Sequence, residues 1–409
     1  PQEPMMPKHL TRIINDFEVV PKAIVEVVAA YILYLMLETR GHQARQAARL
    51  SGKHESCFSR MLSRSDNLVI AKGCLNRSVR RRLERLKDSK KSARPMVLID
   101  STLVGRRGRK VENAGFYKLG KRTIRGHKTV NFVLVIGQDL IPLSAVAHYS
   151  REYCEENGFT YRTENELIID WLNWLHYSGF FPKEYIKHLH FVCDAGYDAR
   201  KVQKAFNRIG CHFTMCVKNS RLIDDVSIDQ YFRCHRTIPW QSIRLFVERN
   251  RKTIRKSYRV RFAARVRLKG FGLVSAAYSE TKRADGKKFR KYIVTSDLSL
   301  SARDVIEVYK TRWATETWHK KMKQDHAYGD RRSPSFRAFE SHINFCLAAY
   351  NLQRCHDPGI PKLGTTVAEY TSAKAVDHLA VELTRFDGIK RFKKQVREAL
   401  AEIVTQEAA

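Results

Sequence analysis

The sequence predicts an α/β fold with a mixed sheet, preceded by an all-helical segment and interrupted by a β-rich insertion. Three observations carry that expectation. Up to about residue 90 the chain reads as helices. From Met96 onward, apolar runs of strand length alternate with amphipathic helical patterns. Between Lys218 and Thr295 the helical pattern yields to alternating stretches such as IRKSYRVRFAARVRLKG.

Composition bounds the function. A chain of 409 residues with 43% hydrophobic content can bury a large core and is expected to form more than one domain. Lys and Arg number 75 against 42 acids, a formal charge of +33. Such an excess opposes compaction unless a polyanion neutralises it, and nucleic acid is the expected polyanion. The longest apolar stretch, Ile24 to Leu37, contains Glu26 and is too short to span a bilayer, so it reads as a buried helix. The nine cysteines are scattered with no paired C-x-x-C motifs, and no signal peptide is visible. A reduced, cytosolic protein without structural disulfides is the expectation.

In chain order, HQARQAARLSGKHESCFSRMLSR follows the apolar helix. A helix ending near Leu50, a Ser51-Gly52 turn and a second helix from Glu55 resemble a helix-turn-helix. The second helix would bury Phe58, Met61 and Leu62 and expose Ser56, Ser59 and Arg60. Arg77 to Arg94 is a basic helix and linker suited to phosphate contact. Met96 to Ile99 is then a short strand ending on Asp100, followed by a basic loop containing GRRGRK and KLGKRTIRGHK. Thr129 to Ile136 and Leu140 to His148 read as two further strands, and Glu164 to His176 as an amphipathic helix. HLHFVCDAGYDARKVQKAF gives a fourth strand ending on Asp194 and another helix, and HFTMCVK a fifth strand. Three strands, helix, strand, helix, strand is the connectivity of an RNase H-like domain. In that order Asp100 and Asp194 end neighbouring strands.

Ser301 to Lys323 has neither Gly nor Pro and reads as one helix with Ser301 as N-cap. Tyr309, Arg312, Glu316 and Lys323 fall at offsets that project them within an arc of roughly 60° at about 100° per residue. A solvated salt-bridge face would share this spacing. Packed over the two Asp, the same face completes a trio of carboxylates, which repel one another unless cations sit between them. Oxygen donors of this kind suit Mg²⁺ or Mn²⁺, and two such ions support phosphodiester displacement.

Tyr309, Arg312, Glu316 and Lys323 match the Y-(2)-R-(3)-E-(6)-K signature, and over about Met96 to Tyr350 the chain resembles DDE transposases of the bacterial insertion-sequence-four type. Trp313 after the Arg and His319-Lys320 after the Glu are similar to that group as well. The resemblance implies a catalytic, metal-holding triad of Asp100, Asp194 and Glu316 with two Mg²⁺ or Mn²⁺ ions. Tyr309, Arg312 and Lys323 would hold phosphates of the transposon end, with Lys320 and Trp313 alongside. Double-stranded DNA, both terminal repeats and target, would be the partner of a homodimer in a synaptic complex, in the bacterial cytoplasm with the nucleoid. In relatives a tryptophan of the insertion stacks on a flipped base. Here the strand before the signature helix, KYIVTSD, carries Tyr292, and Trp240 lies near the insertion's start.

The expected domains are therefore a helical DNA-binding domain at 1–94, core at 95–218, β-rich insertion at 219–295, core again at 296–356 and a helical tail at 357–409. A metal-dependent nuclease or resolvase would share the triad without joining ends. A domesticated DNA-binding protein would normally have lost a carboxylate, and none is missing.

Overall fold

The computed structural model describes residues 8–37, 43–86, 94–120, 122–249, 252–282, 288–329 and 333–357, with isolated positions at 286 and between 360 and 373. The tail helix expected at Gly388 to Val404 lies outside the described residues, as does the 87–93 part of the basic linker. Contacts divide the chain into two units, residues 1–85 with 321–409, and residues 86–320.

The first unit contains α1 (Lys8–Asp16), α2 (Val25–Met36), α3 (Gln43–Ser51), α4 (Glu55–Ser63) and nearly all of α5 (Asn67–Leu86). In α2 every residue except Glu26 is buried, because α1, α3 and α4 pack around it. An apolar surface on all sides requires such wrapping. No helix among the described residues is long and apolar enough to cross a membrane. Helix α4 buries Phe58, Met61 and Leu62 and exposes Ser59 and Arg60, as its spacing predicts, whereas Ser56, expected to be exposed, is half-buried in the capped first turn. Its first turn is capped by His54, whose ring accepts from the Ser56 N–H.

The second unit is built on one twelve-stranded mixed sheet. Its elements run β1 (Met96–Gly105), β2 (Gly115–Leu119), β3 (Arg122–Ile136), β4 (Asp139–His148), α6 (Arg151–Asn157), α7 (Glu164–Tyr177), α8 (Lys183–Lys187), β5 (His190–Cys193), α9 (Arg200–Arg208) and β6 (His212–Val217). Then come β7 (Leu222–Ile223), β8 (Val226–Ser227), α10 (Ile228–Cys234), β9 (Gln241–Arg249), β10 (Lys252–Leu268), β11 (Gly272–Lys282), β12 (Lys288–Thr295), α11 (Ala302–Thr311) and α12 (Trp313–Asp325). The last residues of α12 and all of α13 (Phe336–Gln353) belong to the first unit.

Strands β1, β5 and β6 run parallel, while β3 pairs antiparallel with both β1 and β4. The 218–295 segment is β-rich, and its last strand, β12, pairs with β6, so the sheet continues from β6 through β12 and β11 to β10.

Three expectations need correction. Strand β1 does not end on Asp100 but continues to Gly105, because β3 keeps pairing with it as far as Gly126. The basic stretch after it is not all loop: Gly115–Leu119 forms β2 and pairs with a β3 that begins at Arg122. The single helix expected over 301–323 is two, α11 and α12, joined at Arg312. There the Arg312 N–H bonds the Tyr309 carbonyl at 3.3 Å and the Thr315 N–H bonds the Arg312 carbonyl at 3.0 Å. These bonds reach back three residues rather than four, and the Thr315 hydroxyl also donates to the Arg312 carbonyl.

Candidate active site

Register places the two aspartates. Strands β1 and β5 pair in parallel from Met96↔His190 to Ile99↔Cys193, so Asp100 and Asp194 follow the last paired residues on adjacent strands. Side chains alternate along a strand, so Asp100 shares a sheet face with Leu98, and Asp194 with Val192. That is the face α11 covers: Ala302, Val305, Ile306 and Tyr309 are buried in one cluster with Leu98 and Val192. Ser301 fixes where α11 begins through a capping box with Asp304.

Tyr309, near the end of α11, donates its hydroxyl to Asp194 Oδ1 at 3.2 Å. The Tyr309 hydroxyl oxygen in turn accepts from Lys291 Nζ at 3.1 Å. Arg312, at the junction, lies with Nη2 2.7 Å from Glu316 Oε1 and Nη1 3.8 Å from Asp100 Oδ2. One guanidinium therefore spans the two carboxylates that β1 and α12 supply. The Ser101 N–H donates to Asp100 Oδ1 at 3.0 Å.

Burial pushes the Asp100 carboxyl up to about 6; Arg312 opposes this, and Asp194 and Glu316 add to it. Burial works against the Arg312 charge as well, but Asp194 and the groups around it outweigh that and hold its pKa above the ordinary value. Burial lowers Lys291, with Arg312 adding to the effect. The site is thus three acids gathered around a half-buried lysine and a buried guanidinium. Among the described residues no three His, Cys, Asp or Glu side chains stand close enough together to hold a metal ion as arranged.

The other expected residues are placed differently. Trp313 is 63% exposed, and Lys320 is exposed on α12. Lys323 is exposed seven residues beyond Glu316 on the same helix, in the part that belongs to the first unit. Tyr292 is buried, stacked on Tyr278 with centroids 5.2 Å apart and donating its hydroxyl to Asp229. Trp240 is half-exposed beneath the Arg259 guanidinium, 4.5 Å from its ring.

Lys291 is the contact that the sequence reading missed. It shares a β12 face with Ile293, which packs in the α11 cluster, and that two-residue step was its only signal. It also borders a cavity of about 350 Å³ lined further by Tyr292, Asp229, Arg233 and Arg290.

The protein is thus of the mixed α/β class, with a large mixed sheet whose adjacent strands carry carboxylates beside a helix junction. The transposase DDE domain model matches residues 91–352, more than half of the chain, and the chain belongs to that family. Members are transposases, enzymes that act on DNA, and their DDE domains generally use divalent metal ions. No curated protein matches the chain.

Proposed function

We propose that this chain is a cut-and-paste transposase of the insertion-sequence-four type, which cleaves at element ends and joins the exposed 3′-OH to target DNA. The observation that carries the reading is the junction at Arg312, where Asp100 and Glu316 meet one guanidinium beside Asp194 and Tyr309. The strand order β4-β3-β1-β5-β6 supports an RNase H-like core. Helices α3 and α4 would read DNA as a helix-turn-helix, and two copies would pair one element end each.

The donor set fits a divalent cation in kind. Asp100, Asp194 and Glu316 offer hard carboxylate oxygens, the donor type such an ion prefers. These three residues would hold Mg²⁺ or Mn²⁺, two ions in the reaction. When bound, such ions supply Lewis-acid stabilisation of charge on the phosphate oxygens.

The chain's own groups do the rest. Tyr309 keeps Asp194 oriented while Lys291 fixes the phenol from the other side. Arg312 and Lys291 present positive charge at low dielectric, where a phosphate enters between acids that would otherwise repel it. Arg312 can grip that phosphate with two parallel N–H groups, which a lysine cannot. Trp313, Lys320 and Lys323 lie further along α12 and would follow the strand.

The test is to incubate the protein with Mg²⁺ and DNA carrying the flanking element's ends, then map product termini. Joined products with element 3′ ends in target DNA support transposition. Nicks or breaks without joining would make the protein a nuclease or resolvase. Chelation should stop either reaction.

A further inference from the structure

The basic stretch between β1 and β3 has no part in the active site, yet it forms a definite object. Residues 105–128 carry nine Lys or Arg and one acid, Glu112. Strands β2 and β3 make a two-stranded arm, registered Phe116↔Arg125 through Leu119↔Arg122, beyond the last β1–β3 pair at Gly105↔Gly126. Phe116 is 75% and Leu119 61% exposed, and Lys118 and Arg122 are exposed beside them.

The arm is braced. Arg125 donates to the Gly108 carbonyl at 2.8 Å, and the Arg106 N–H bonds the Arg125 carbonyl at 2.9 Å. Asn113 bonds the His148 carbonyl at 3.1 Å, and its amide oxygen accepts from the Ser150 N–H at 2.7 Å. At Gly126 a Cβ would sit 2.1 Å from the Val104 carbonyl oxygen, so only glycine lets β1 and β3 close up where the arm departs.

Charges on an exposed strand discourage edge-to-edge pairing. That role does not account for the two large apolar side chains, which such a design would avoid. Apolar side chains framed by cations suit a nucleic-acid groove, where cations meet phosphates and apolar groups lie on sugars or wedge at base steps.

We infer that the β2–β3 arm docks on the DNA duplex that carries the scissile phosphate, at a fixed distance from it. Asp100 pairs with Asn131, six residues before Arg125 and nine before Arg122 is reached, counting back along β3. At about 3.3 Å per residue the arm begins roughly 20 Å and ends roughly 30 Å from the carboxylates. At about 3.4 Å per base pair this is roughly six to nine base pairs. The inference rests on the transposase reading for the position of the cut, but not for contact with DNA.

Hydroxyl-radical footprinting of the full chain on end DNA tests it, with cleavage read on the same samples. Wild type should protect the backbone at the cut and again about six to nine base pairs away. Phe116→Ala with Lys118→Gln and Arg122→Gln should lose the distal protection and keep the proximal one. Lys118→Gln with Arg122→Gln alone should lower the salt slope of binding by about two and leave the melting temperature unchanged. Unchanged distal protection in the triple variant, or no distal protection in wild type, would overturn the arm. If the distal protection depends on the arm but no cleavage or joining occurs, the transposase reading falls and the arm's contact stands. Binding of the arm to anionic vesicles or acidic peptides, with no change in the DNA footprint on mutation, would also reject it.

Discussion

Arg312 Nη2 lies 2.7 Å from Glu316 Oε1, four residues further on, and the same guanidinium reaches Asp100 on β1. Arg312 is buried, so this contact operates at reduced dielectric and is not a screened surface pair. The helix break at Arg312 aims the side chain at the strand ends.

Arg312→Lys is therefore expected to behave much like Arg312→Ala. A point charge on a flexible stem cannot span two carboxylates or hold a phosphate in a fork. Single-turnover cleavage of saturated end complex should fall about a hundredfold, as a small misplacement of a reacting group allows. The salt slope of binding should change by about one at most. Full activity in the lysine variant would mean that the fork geometry is irrelevant.

Tyr309→Phe removes the hydroxyl that links Lys291 to Asp194 and keeps the ring that packs with Leu98 and Val192. The melting temperature should change little, while cleavage should drop about tenfold or more. Lys291→Ala should lower cleavage in the same direction, because it removes the bond that fixes the Tyr309 hydroxyl while leaving that hydroxyl's own bond to Asp194. A cleavage defect in one but not the other would break the proposed chain of contacts.

Stability should fall on acidification through a histidine. His190 is buried, bonded to Thr214 Oγ1 at 2.7 Å, and burial lowers its pKa to about 3. Arg94 and His212 add to that lowering, and Asp297 opposes it. The folded pKa lies below the unfolded value near 6.5, so the unfolded chain binds more protons as pH drops. The neutral histidine is tolerated fully above about pH 6.5, and below it the cost grows by about 1.4 kcal/mol per pH unit until folded His190 itself protonates. Calorimetry between pH 7 and 4.5 should show the melting temperature declining more steeply in wild type than in His190→Gln. Parallel curves would assign the decline to other groups.

The sequence made the helix face legible because a helical period turns fixed spacing into direction. Tyr309, Arg312 and Glu316 could be grouped before any sheet was known. The aspartates were legible as ends of apolar runs, though pairing with β3 carries β1 past Asp100. Lys291 was not legible. It is one of 75 basic residues, and its role depends on β12 pairing with β6, a contact between distant segments. The β2 arm was hidden for a related reason: glycines and cations lower local strand preference, and only the register with β3 makes it a strand. The break at Arg312 depends on a side-chain hydroxyl competing for a carbonyl, which periodicity does not register.

The central claim is that Asp100 and Asp194 serve the chemistry while the basic surface holds the DNA. Asp100→Asn and Asp194→Asn keep side-chain volume and remove one charge each. Gel shifts on end DNA beside cleavage gels, run on the same preparations, measure the two roles separately. The account predicts end binding within a few-fold of wild type and cleavage below detection in both variants. Cleavage retained in either one would contradict the assignment of these carboxylates to the active site.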